Sequence, residues 1–253
     1  MNPATTCLTR KPEDDQASYE AAIAENPANR PTSSSGRQKR AVARHTKFWA
    51  PGRTLRIAFL NGSQAFKDGV KAAASNWLPH INLKFDFVEG EVGDIRIRTG
   101  TGLYWSSIGT DALLDEEGPT MEISDWMLIP KLFAHYVMHE FGHALGAEHE
   151  HLHPEANIPW NKPAVYSDHW VPEDAGEDDF RRKEVDERYF NLLDTSEVNY
   201  SPYDPKSIMH YEIHQAWTHG DFQIYLNFDL SEKDKAFMAE AYPYPEHTTE
   251  SRD

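Results

Sequence analysis

The sequence predicts an α+β fold in which helices pack on a twisted sheet. Several short segments alternate apolar and polar residues with a period of two, as strands do. Two longer segments repeat apolar residues at helical spacing, and the order strand, helix, strand, strand, strand, helix suits a layered α+β domain.

Residues 1–45 stand apart. They are rich in Asn, Pro, Ser, Thr and charge and contain the run PTSSSG at 31–36, so a flexible N-terminal arm and possible pro-segment is expected. A short helix over Asp15–Glu25 is admissible. The arm ends in the basic cluster RQKR at 37–40, which a processing protease could cut, although a solvated charge run is the preferred reading.

Residues 46–253 read as one globular domain. Thr54–Phe59 alternates and predicts a strand. Asn61 and Gly62 turn the chain, Ser63 sits where a helix N-cap belongs, and a helix follows to about Trp77. Segments 83–88, 94–98 and 120–124 predict three more strands. Pro130, a favoured first-turn residue, opens a helix over 130–145. Ser231 with Asp234 three residues later forms a capping-box-like start for a last helix, which ends before Pro243.

Bulk properties exclude several classes of function. The net charge of −16 and pI of about 5.2 argue against nucleic acid as the main partner, because phosphate binding requires a basic face. The same acidity either favours cationic substrates or serves only solubility. No segment has the apolar length of a membrane span. Cys7 is the single cysteine, so no intrachain disulfide forms, which fits a reducing compartment or a fold that does not depend on crosslinks. Residues 1–10 hold no signal-peptide core; the expectation leans cytoplasmic, with non-classical export or a shortened chain also compatible. A monomer is expected.

The chemistry concentrates in HEFGHALGAEH, residues 139–149. Residues four apart share a helix face, so His139 and His143 can grip one ion together. Leu132 and Tyr136 fall on that stripe, while Phe133, Val137, Phe141, Ala144 and Leu145 gather opposite, toward a core. Glu140 projects beside the metal, where a carboxylate can take a proton from metal-bound water and pass it to a leaving amine. Gly146 ends the helix and permits a left-handed turn that can return His149 to the same ion. Three histidine ligands with an open position fit a catalytic zinc site, whereas structural sites close with four protein ligands.

This segment matches H-E-x-x-H-x-x-G-x-x-H at every fixed position and resembles the metzincin metalloproteases. Within that clan it is most similar to the astacins: Glu150 and His151 continue the third histidine, and SIMHY at 207–211 resembles the family's Met-turn. The resemblance implies a metzincin-like two-lobed catalytic domain with a mixed sheet and long helices. It implies a Zn2+ cofactor and endopeptidase activity on internal bonds of extended protein or peptide substrates, by attack of a zinc-activated water with Glu140 as general base. Met209 would floor the metal, Tyr211 would be an added ligand or an oxyanion-stabilising hydroxyl, and Glu150 would brace the lower lobe. His151 and His153 are read as exposed or locally bonded. Departures are the missing disulfides, Ala147 where an aromatic is usual, and no F-x-G-D segment in the arm.

In metzincins substrate pairs with an exposed edge strand, and 120–124 is the candidate by position. The span 160–203 carries the acidic run 173–179 beside Trp170, Phe180, Tyr189 and Phe190, which suggests a preference for basic side chains. Cys7 could reach the fourth zinc position, but no motif surrounds it, so an incidental thiol is preferred. Besides an endopeptidase, a narrower zinc hydrolase and a non-catalytic zinc-binding protein fit the motifs; Glu140 argues against the last.

Overall fold

The computed structural model describes residues 7–30, 46–90, 92–125, 129–194 and 201–245. Six strands form one mixed sheet: β1 (Leu8–Arg10), β2 (Thr54–Phe59), β3 (Lys84–Glu89), β4 (Ile95–Arg98), β5 (Trp105–Ser107) and β6 (Met121–Glu122). The spatial order is β1-β5-β6-β4-β2-β3, with every pairing parallel except β5 with β6. The helices are α1 (Asp15–Glu25), α2 (Gln64–Ala74), α3 (Pro130–Ala144), α4 (Lys162–Asp168), α5 (Phe180–Val185) and α6 (Glu232–Ala241).

Local chemistry explains the boundaries that the sequence anticipates. The Ser63 side chain accepts from the Phe66 N–H and caps α2. Ser231 and Asp234 form a complete capping box at the start of α6. At the end of α3, Gly146 adopts φ +97°, and Gly146 N–H and Ala147 N–H donate to the carbonyls of His143 and Gly142. That pair of bonds is a Schellman motif. Two of the remaining helix-end carbonyls are satisfied from afar: Trp49 Nε1–H donates to Ala144 O at 2.8 Å and the Tyr242 hydroxyl to Leu145 O at 2.7 Å. The helix end, and the turn that follows it, is therefore fixed by two fully buried aromatic residues.

Two hydrophobic clusters define two lobes. The larger joins β2, β4, α2 and α3 through Leu55, Ile57, Ile97, Phe66, Val70, Val137 and Phe141. The smaller gathers Cys7, Val165, Val185, Tyr189, Tyr211 and Trp217. The apolar face expected for α3, including Phe133, Ala144 and Leu145, lies in the larger cluster.

Some expectations are corrected. Segment 120–124 is no edge: β6 is a two-residue strand flanked by β4 and β5. Its interior place follows from β5, a strand of Trp and two Ser whose lack of alternation hid it from the sequence. The helix expected to reach Trp77 ends at Ala74 and gives way to a 3-10 turn at Leu78–His80. Trp77 instead turns inward and donates from Nε1 to Met138 O at 3.0 Å.

The described part of the arm is likewise laid against the body instead of hanging free. β1 adds to β5, α1 spans Asp15–Glu25, and Ser18 Oγ donates to the buried Asp111 at 2.5 Å. Asn26 and Asn29 donate to the Trp49 and Phe48 carbonyls at 3.1 and 2.8 Å. Composition missed this because the arm binds through polar side chains, not an apolar face. The cluster at 37–40 and residue 45 lie outside the described residues.

Candidate metal centre

α3 carries His139 and His143 on one face, and the Gly146 turn returns His149 to them. Ring centroids stand 4.8 Å apart for His139 and His143, 4.4 Å for His143 and His149, and 5.2 Å for His139 and His149. All three rings are buried.

Second partners orient the rings. His139 Nδ1 lies 2.8 Å from the Ile208 carbonyl, and His143 Nδ1 lies 2.8 Å from the Ala147 carbonyl. A carbonyl only accepts, so Nδ1 carries the proton in both rings and each Nε2 presents a lone pair. His139 Nε2 is buried with no hydrogen-bond partner, and His143 Nε2 stands 3.1 Å from His149 Nε2. Buried lone pairs facing one another call for a shared cation. Burial, with neighbouring imidazoles adding, pushes His139 and His149 well below the usual histidine range, and burial takes His143 down to about 4. The rings are thus neutral, as metal ligands must be.

Cys7 completes the set. Its ligand atom and those of His139, His143 and His149 all lie within 4.8 Å of one another. Three imidazoles and one thiol are a zinc-type donor set. The thiol preferred as incidental from sequence therefore sits at the centre, buried to 3% exposure. Burial first, then the neighbouring Glu140, raises its pKa well above the ordinary thiol value.

Glu140 lies on the same helix, fully buried, and neither carboxyl oxygen has a hydrogen-bond partner among the described residues. Burial pushes its pKa well above the usual carboxylate range. Tyr211, also buried, donates its hydroxyl to the Cys7 carbonyl and stands against His149 at 4.4 Å between centroids. Met209 packs beneath α3: a Cβ on Gly142 would meet its Sδ at 2.2 Å. Gly142→Ala is accordingly expected to lose about 1–3 kcal/mol through overpacking. Adding Met209→Ala should recover part of that loss in thermal unfolding; strictly additive losses would contradict the contact.

Glu150 ties the third-histidine loop to the Met-turn. Its N–H donates to the Met209 carbonyl at 3.0 Å, and its Oε1 accepts from Asp204 N–H at 2.6 Å. Burial, with Asp234 and Asp204 nearby, raises it to about 8. His151 and His153 are buried, not exposed; their Nε2 atoms bond to the carbonyls of Arg188 and Ser201, both at 2.7 Å. His151 stacks on Tyr211 at 4.1 Å.

Fold and site together define a metzincin-type metalloprotease. Two solved structures of myroilysin are similar to the chain. One is 35% identical, with a TM-score of 0.71, over 78% of this chain and 96% of that one. The other is 31% identical, with a TM-score of 0.64, over 96% of this chain and 93% of that one. The chain belongs to the astacin family of zinc metalloproteases. A hatching-enzyme zinc protease from the medaka Oryzias latipes, 18% identical with a TM-score of 0.54 over 76% of this chain and 92% of that one, shares the fold. No family model and no curated protein matches the chain. No helix among the described residues is long and apolar enough to cross a membrane.

Proposed function

We propose that the chain is a zinc-dependent endopeptidase that cuts internal bonds of extended protein or peptide substrates, held in a latent state by its own N-terminal arm. The observation that carries the reading is the convergence of the buried His139, His143 and His149 donors with Glu140 one residue along the same helix. These three histidines would hold Zn2+, which when bound lowers the pKa of a water and polarises the scissile carbonyl.

The chain's own residues supply the rest. Glu140 accepts the proton of the attacking water and hands it to the departing amine, a role that its place next to His139 on the same helix allows. Tyr211, freed from Cys7, offers its hydroxyl to the developing oxyanion. Met209 keeps the floor of the site apolar, and Glu150 holds the Met-turn against the third-histidine loop. Cys7 occupies the fourth donor position, which a hydrolase must leave open, so the arm silences the site. A monomer acting on protein substrate accords with this design.

The test uses the full-length Cys7→Ser chain, which keeps the three histidines. It should carry about one zinc per chain and cut an unstructured protein at internal sites. A chelator should remove the metal and the activity together, and zinc should restore both. Cleavage that survives complete metal removal, or release of terminal residues alone, would overturn the reading.

A further inference from the structure

His151 is a buried imidazole beside the metal donors to which the mechanism gives no task. It follows His149 by two residues, lies wholly out of solvent, and its Nε2 stands 2.7 Å from the Arg188 carbonyl. A carbonyl only accepts, so Nε2 carries the proton and Nδ1 keeps its lone pair. That Nδ1 is buried with no hydrogen-bond partner among the described residues. A buried acceptor left bare costs folding energy, and a phenyl ring of similar outline would avoid the cost. One polar contact, to the π-helical turn Asp186–Phe190, therefore anchors the ring, and what else holds it acts on its faces.

Those faces meet Tyr211. The two rings are stacked, with centroids 4.1 Å apart and planes 19° from parallel. Tyr211 has two further ring neighbours, both steeply inclined to it: His149 at 4.4 Å and 63°, and Tyr189 at 6.0 Å and 65°. Its hydroxyl is held by the Cys7 carbonyl, a partner that departs with the arm. A stacked pair resists tilting of one ring against the other and tolerates sliding within the plane. Once the hydroxyl is free, the imidazole face is the surface that keeps the sweep of the phenol in one plane.

We infer that His151 is a positioning residue, whose ring is the platform along which Tyr211 moves from the Cys7 carbonyl to the reacting oxyanion. This rests on the role given to Tyr211 in the endopeptidase reading. The assignment gives His151 no contact with metal or substrate, so its effect passes through Tyr211 alone.

Two substitutions separate the stack from the hydrogen bond. His151→Phe keeps a flat ring and loses the donor to Arg188, whereas His151→Gln keeps a donor and loses the ring. In the zinc-loaded, full-length Cys7→Ser chain, His151→Gln should lower kcat on a quenched peptide on the order of tenfold with KM little moved. His151→Phe should retain most of kcat. Equal rates in the two, or the reverse order, overturn the proposal. Tyr211→Phe completes a double-mutant cycle, and in that background His151→Gln should cost nothing further in kcat. An undiminished loss there overturns the proposal. So does loss of zinc in His151→Gln, because the ring would then be supporting His149. A readout without turnover uses the unaltered chain with isotopically labelled tyrosine rings. The Tyr211 resonance, assigned by its absence in Tyr211→Phe, should carry a ring-current shift that His151→Phe preserves and His151→Gln removes. If that holds and nothing is cut, the endopeptidase reading fails and the platform stands. A Tyr211 signal unmoved by His151→Gln removes the platform whatever is cut.

Discussion

Glu140→Gln in the Cys7→Ser chain is expected to lower kcat on the order of 10²- to 10⁴-fold while zinc content stays near one per chain. The substitution keeps the shape of the side chain and removes only its capacity to take a proton. Zinc should remain because the donors left in that chain, His139, His143 and His149, are untouched and Glu140 is not among them. Stability should hold or rise slightly. Glu140 is a buried carboxyl with no hydrogen-bond partner among the described residues, a group that costs folding energy where it stands. The three readouts separate the roles the residue could have. A metal ligand would lose zinc, a structural residue would lower the melting temperature, and a general base loses turnover alone. Retained activity would sink the assignment of Glu140 as the base.

That residue was legible because its chemistry is local. Residues 139–149 lie on one helix and one turn, so spacing alone brings two histidines and a carboxylate to one place, and a glycine at the required φ closes the turn. Ser63, Ser231 and Asp234 were legible for the same reason: a cap is written within four residues of the helix it serves. What depends on distant pairing was not. β5 has three residues and no alternation, so nothing local announces that it pairs with β6 and leaves 120–124 inside the sheet. His153 Nδ1 does accept locally, from Glu155 N–H at 2.9 Å. The Nε2 partners of His151 and His153, however, are backbone carbonyls 37 and 48 positions along the chain, which no imidazole can advertise in sequence. Cys7 is the extreme instance. A single thiol among polar residues gains meaning only when β1 pairs with β5 and carries it across the three histidines.

Cys7→Ser is expected to raise the activity of the intact chain on the order of a hundredfold, which is the loss of one metal ligand's share of the roughly 10–16 kcal/mol of a four-ligand zinc site, about 3 kcal/mol. The thiol competes intramolecularly, so substrate meets a site already closed. A serine hydroxyl is a far poorer ligand for zinc and leaves the fourth position to water. The gain should be partial. Ser18 still holds Asp111, Glu25 still pairs with Arg53, and β1 still covers β5, so the arm continues to obstruct the cleft after its ligand is gone. Weakening those contacts in the same background, for instance with Ser18→Ala, should add a second, smaller increment visible in KM more than in kcat, because it removes a competitor for the cleft and leaves the reacting groups untouched. Measured on the unprocessed chain, an increase on Cys7→Ser followed by a further fall in KM on Ser18→Ala is the result that latency requires. No increase on the first change, with zinc still bound, would mean that the thiol stands in the cluster without controlling it. The arm's polar contacts would then carry the inhibition alone.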